Sequence, residues 1–98
     1  MTEPAALPTL HLVFSEAGYR ALEPLLEGAV RAPTIVLLQD ACYLLRDQQQ
    51  SLPDSVLGLA EDLALRGVTL PTDDPRATVT TAELVQLTCN HQPIVSWG

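Results

Sequence analysis

Short apolar runs followed by polar or acidic residues able to start a helix occur four times along this chain. The runs are Leu10-His11-Leu12-Val13-Phe14 before Ser15, Thr34-Ile35-Val36-Leu37-Leu38 before Gln39-Asp40, Val56-Leu57-Gly58-Leu59 before Glu61-Asp62, and Ala77-Thr78-Val79 before Thr80. Runs this short, without clean apolar/polar alternation, suit strands covered on both faces, as in parallel sheets. Parallel neighbours need a crossover, usually a helix. The pattern therefore predicts an α/β fold: one small domain with a mostly parallel central sheet of four to five strands flanked by helices, layered as in flavodoxin-like proteins.

The punctuation between the runs sets the expected boundaries. Residues 1–9 read as a loose tail and residues 10–98 as the single domain. Pro24 is expected to break a helix begun at Glu16, so Ser15 to Arg20 reads as a loop or opening turn and the first helix as starting near Leu22. Leu22, Leu25, Leu26, Ala29 and Val30 then share one stripe, and Pro33 closes the unit. Ala41 to Arg46 reads as a short helix, and Asp47 to Ser51 as a polar surface connection ending at Pro53. Glu61 and Asp62 suit the positive end of a third helix, which Gly67 is placed to close in the left-handed conformation. Pro71 to Pro75 is a turn-rich acidic loop. Thr80 and Glu83 fit a capping box for a last helix lined by Leu84, Leu87 and Thr88. Pro93 ends that helix, leaving Ile94 to Trp97 as a terminal extended piece.

Composition narrows the function classes. A chain of 98 residues makes one domain, and a domain this size buries roughly 65% of its unfolded surface. At 47% hydrophobic and 17% charged it is more apolar than an ordinary soluble domain. No apolar run approaches the ~20 residues that span a bilayer, so no membrane association is expected and the surplus points to a protein-protein interface. The net charge is −7, with five Arg and no Lys. Such a surface repels phosphate backbones, so direct nucleic-acid binding by this chain alone is not expected. No basic segment followed by an apolar core opens the chain, which predicts no secretory signal and a cytoplasmic location. In that compartment Cys42 and Cys89 are expected as free thiols.

Little catalytic chemistry is written in the residues. None of the five glycines sits in a nucleotide-binding loop, and no cofactor is expected. The absence of lysine excludes Schiff-base chemistry and removes the usual cation of a receiver-type phosphorylation site. Cys89 and His91, two apart on a helix, point in different directions, so no metal site is expected. Cys42 is the candidate catalytic residue: it follows Asp40 at the carboxyl end of the second strand, where open α/β sheets place their sites. The first turn of a helix would favour its thiolate, whereas Asp40 would oppose it. The competing reading is a small core residue. Cys89, inside an apolar helix, reads as core. His11, within an apolar strand, reads as a hydrogen-bonded structural or interface histidine, and Trp97 as an aromatic docked on the sheet or on a partner.

Leu10-His11, Leu37-Leu38-Gln39-Asp40, Glu61-Asp62-Leu63 with Arg66-Gly67, Leu87-Thr88 and the near-terminal Trp97 together resemble the DsrH/TusB family, from Leu10 to Trp97. The resemblance implies a DsrE-like fold and a place in a heterohexamer with two related DsrE/DsrF-like (TusD/TusC-like) subunits, each present twice. Such complexes pass persulfide sulfur between proteins. One branch serves 2-thiolation of the tRNA wobble uridine, the other dissimilatory sulfur oxidation. The resemblance places the principal sulfur-carrying cysteine in the DsrE/TusD-type partner. Some DsrH members also carry one in the first helix, but Ala21 to Leu26 has none here. The expectation is thus a non-catalytic subunit of a sulfur-relay complex, in the tRNA-thiolation branch, with His11 and Trp97 at interfaces. Three alternatives stand beside it: a DsrH-type subunit of the oxidation branch, a thiol enzyme or sulfur carrier acting through Cys42, and a homo-oligomeric small-ligand-binding α/β protein.

Overall fold

In a computed structural model describing residues 7–28, 32–47, 52–53, 55–71, 74 and 76–98, five strands form one all-parallel sheet. They are β1 (Leu10–Val13), β2 (Thr34–Leu37), β3 (Leu57–Leu59), β4 (Thr78–Val79) and β5 (Ile94–Trp97), in the order β4-β3-β2-β1-β5. The four apolar runs and the terminal extended piece supply them. The helices are α1 (Glu16–Leu26), a 3-10 helix (Gln39–Tyr43) running into α2 (Leu44–Asp47), α3 (Ala60–Leu65) and α4 (Thr81–Asn90).

The chain steps from β1 to β4 in one direction, and α4 then returns it to the far side of β1. With right-handed crossovers, steps in one direction share a sheet face and the return lies on the other. Two apolar clusters follow from that. On one face Val13, Ile35 and Leu37 pack with Tyr19, Leu22, Cys42, Leu45 and Leu63. On the other, Leu10, Val36, Leu38, Leu59 and Val79 are covered by the half-buried Leu84 and Leu87 of α4. No residue of α4 is fully buried, so this second face carries a thin layer.

The first helix corrects the expectation drawn from Pro24. It begins at Glu16, not near Leu22, because Ser15 caps it by accepting the Gly18 N–H at 3.0 Å. Pro24 lies inside this helix and lacks the N–H that would return to the Arg20 carbonyl, so the cap and the buried stripe outweigh that loss. The buried stripe is accordingly Gly18, Tyr19 and Leu22, while Leu25 is exposed and Leu26 half-buried. Ala29 and Val30 lie outside the described residues, as do Gln48 to Ser51 of the expected polar connection.

Two local expectations are met by their bonds. Gly67 closes α3 at φ +65°, with its N–H on the Ala64 carbonyl at 3.2 Å and that of Val68 on Leu63 at 2.9 Å. This double bond is a Schellman closure, sealed by Val68 packing in the same cluster as Leu63. At α4, Thr80 Oγ1 accepts the Glu83 N–H at 3.1 Å and Glu83 Oε1 accepts the Thr80 N–H at 3.0 Å.

One tie was not legible beforehand. Arg76 is buried against Asp74 at 3.1 Å, with side-chain exposures of 4% and 0%. Its guanidinium also donates to the carbonyls of Leu52 and Pro53, which pins the β3–β4 connection to the approach to β3.

Candidate functional site

The carboxyl ends of β2 and β3 bring two of the sequence-selected segments together. Gln39, leaving β2 at φ +48°, directs its N–H to Asp62 Oδ2 at 2.7 Å. The next residue, Asp40, accepts from Arg66 Nε at 3.2 Å, and Arg66 also lies 3.9 Å from Asp62. A left-handed backbone is uncommon for a non-glycine residue, and here the Asp62 carboxylate holds the amide in place. Gln39-Asp40 and Asp62 with Arg66 therefore form one connected surface patch on two adjacent βα units.

Cys42 lies beneath that patch and is fully buried. Its Sγ is 3.5 Å from the Leu37 carbonyl, which can accept the S–H. Burial pushes the thiol up to about 11, and the charges of Asp62 and Asp40 add to the rise against an opposing effect of Arg66. At pH 7 such a thiol stays protonated, whereas the thiolate is the form that attacks or carries sulfur.

The described cysteines are both free, and they sit oppositely to each other. Cys89, expected in the core, is exposed on α4. The reason is helical geometry: Leu84 and Leu87 pack on the sheet, and a residue two positions past Leu87 points away from it. His91 lies apart from it, with both ring nitrogens engaged: Nδ1 lies 2.6 Å from the Leu87 carbonyl and Nε2 lies 2.7 Å from Thr34 Oγ1. A neutral ring satisfies both by donating from Nδ1 and accepting from the hydroxyl at Nε2. This clasp of α4 to β2 left no signal in the sequence. No cluster of metal-ligating side chains occurs among the described residues.

His11 and Trp97 meet on the α1 side of the sheet. The Trp97 indole N–H donates to His11 Nδ1 at 3.0 Å, with ring centroids 6.0 Å apart. Burial lowers the His11 pKa, consistent with a neutral acceptor ring. β5 is pinned there from two directions. Phe14 donates its N–H to the Trp97 carbonyl at 2.9 Å, and a Cβ placed on Gly18 would lie 2.6 Å from that carbonyl oxygen. Only glycine lets α1 approach this closely.

A surface groove of about 310 Å³ is lined by Glu16, Asp40, Tyr43, Leu44, Arg46 and Asp47. Its carboxylates are paired with arginines: Glu16 with Arg20 at 2.8 Å, Asp40 with Arg66 at 3.2 Å, Asp47 with Arg46 at 2.6 Å. Arg46 also stacks on Tyr43, 4.8 Å from the ring centre. These polar groups converge on one another more than on a vacant centre, which weakens the small-ligand alternative. Among the described residues no helix is long and apolar enough to cross a membrane.

A family model described as "DsrH like protein" matches residues 15–94. No curated protein matches the chain.

Proposed function

This chain belongs to the DsrH-like family of sulfur-relay subunits, and from that premise we propose that it is a non-catalytic subunit of a cytoplasmic sulfur-relay complex supporting 2-thiolation of the tRNA wobble uridine. Its partners in this reading are two related DsrE/DsrF-like subunits, together forming a heterohexamer through which persulfide sulfur passes. The buried, strongly protonated Cys42 carries the proposal. A sulfur carrier needs an accessible thiolate, and α1 offers no cysteine in its place. Two free thiols suit a reducing compartment. His11 and Trp97 contribute to assembly by fixing β5 rather than by contacting sulfur.

The test is co-expression with the two related subunits, isolation of the complex and assay of sulfur transfer to tRNA. Cys42→Ser and Cys89→Ser are expected to leave both assembly and transfer largely intact. A loss of about 100-fold from Cys42→Ser, with assembly unchanged, would overturn the non-catalytic reading. That factor is about 2.7 kcal/mol of transition-state free energy, too large for a packing change that leaves the structure intact. Transfer to a sulfur-oxidation enzyme but not to tRNA would move the chain to the dissimilatory branch.

A further inference from the structure

The charges of this acidic chain are unevenly placed. All five Arg and all 12 acidic residues lie at or before Glu83, and residues 84–98 contain none. That neutral stretch is most of α4 and all of β5. It is also exposed: Val85 at 58% and Ile94 at 44%, with Gln86, Cys89, Asn90 and Ser96 open as well. The central part of a protein-protein interface is typically depleted in charge in this way.

A second, independent observation concerns the sheet edge. Among the described residues β5 has β1 as its sole strand neighbour. The N–H groups of Leu10 and Phe14 bond to the carbonyls of Pro93 and Trp97, so alternate residues of β5 face β1. Strand alternation then turns the N–H and C=O of Ile94 and Ser96 outward. Soluble proteins usually blunt such an edge with charge, proline, a bulge or brevity. The opposite edge, β4, is two residues long. β5 is four residues with no charge or proline, and it is held firmly by His11, Phe14 and the close approach of Gly18.

We propose that β5 is a docking edge for a second copy of this chain, added antiparallel so that two five-stranded sheets become continuous. Self-pairing fits the charge distribution. Two chains of net charge −7 repel wherever their acidic surfaces meet, and the stretch after Glu83 lets them approach without that cost. It also fits the backbone. A two-fold axis midway between the Val95 residues of the two copies sets Ile94 opposite Ser96 of the partner copy, and each such pair exchanges both N–H···O bonds. The strand alone covers less than the ~1,600 Å² of a standard stable interface, so the dimer is expected to be reversible.

Sedimentation equilibrium on the full chain, from about 1 to 100 μM, tests this directly. The expected result is a monomer–dimer equilibrium. Ser96→Pro removes one outward N–H at an edge position where proline is tolerated, and Ile94→Lys adds an edge charge. Each should raise the dissociation constant tenfold or more, while Leu65→Lys on α3 leaves it unchanged. Circular dichroism checks folding, and Ile94→Lys decides the matter if Ser96→Pro misfolds. A monomer throughout the range, or a dimer indifferent to both edge variants, overturns the proposal. Neither outcome touches the relay-subunit reading, which is judged by assembly with the related subunits.

Discussion

Trp97 donates its indole N–H to Nδ1 of His11, 86 residues earlier in the chain, at 3.0 Å. The bond requires an unprotonated Nδ1, and burial favours the same neutral ring by lowering the His11 pKa below 6.5. Neutral His11 therefore contributes stability that is fully present above pH ~6.5 and is lost as pH falls through the lower folded-state value. Trp97 is the single tryptophan, so its fluorescence reports the contact. Its emission should shift to the red on acidification below the ordinary histidine range, and the shift should vanish in His11→Gln, whose amide oxygen accepts without titrating. An identical acid shift in that variant would show that other groups drive it.

The two thiols should differ sharply in reactivity. Cys89 is exposed, whereas Cys42 is buried with its pKa pushed up to about 11. An aromatic disulfide reagent at pH 8 should label one thiol per folded chain and the second only in denaturant. Cys89→Ser should remove the fast phase entirely. Rapid native-state labelling of Cys42 would mean that the segment after β2 opens readily, and would reinstate it as a candidate sulfur carrier.

Much of this architecture was legible from apolar runs alone, because strands covered on both faces need no partner information to be recognised. Gly67 and the Thr80/Glu83 box were equally readable, since each acts within its own turn. The misreadings have specific physical sources. Pro24 is a genuine helix-breaking signal, yet the Ser15 cap and the burial of Gly18, Tyr19 and Leu22 carry α1 through it. Cys89 sits on an apolar helix, yet its angle from Leu87 turns it outward. The Gln39–Asp62 and Asp40–Arg66 ties join segments more than 20 residues apart, so the sequence offered the groups without their pairing.

Arg76 illustrates the same limit in stability. It is buried with Asp74, and it donates to the Leu52 and Pro53 carbonyls. Removing one member of a buried ion pair leaves a charge uncompensated and costs about 3–5 kcal/mol. Arg76→Met should thus destabilise the domain by roughly 3 kcal/mol in urea unfolding at pH 7, a large share of the 5–15 kcal/mol of an ordinary domain. Asp74→Asn with Arg76→Met should cost less than the sum of the two changes, because the second no longer strands a partner. Additive losses would show that the two side chains act separately.

Gly18→Ala sets two effects against each other. Alanine inside an exposed helix is favoured over glycine by about 1 kcal/mol, so on α1 alone the change should stabilise. Yet the new Cβ would lie 2.6 Å from the Trp97 carbonyl oxygen and 2.9 Å from its carbon, backbone atoms that cannot rotate away. Relief requires α1 or β5 to shift, and either movement strains the bond from Phe14 N–H to that carbonyl and the Trp97–His11 contact. The steric effect is expected to win. Gly18→Ala should lower stability by about 1–3 kcal/mol, the usual range for overpacking, and shift Trp97 emission to the red. Gly28→Ala, with nothing within 4 Å of the added Cβ, is the matched control and should show neither change. A Gly18→Ala protein as stable as the original, with unchanged emission, would mean that α1 does not press on β5 in solution.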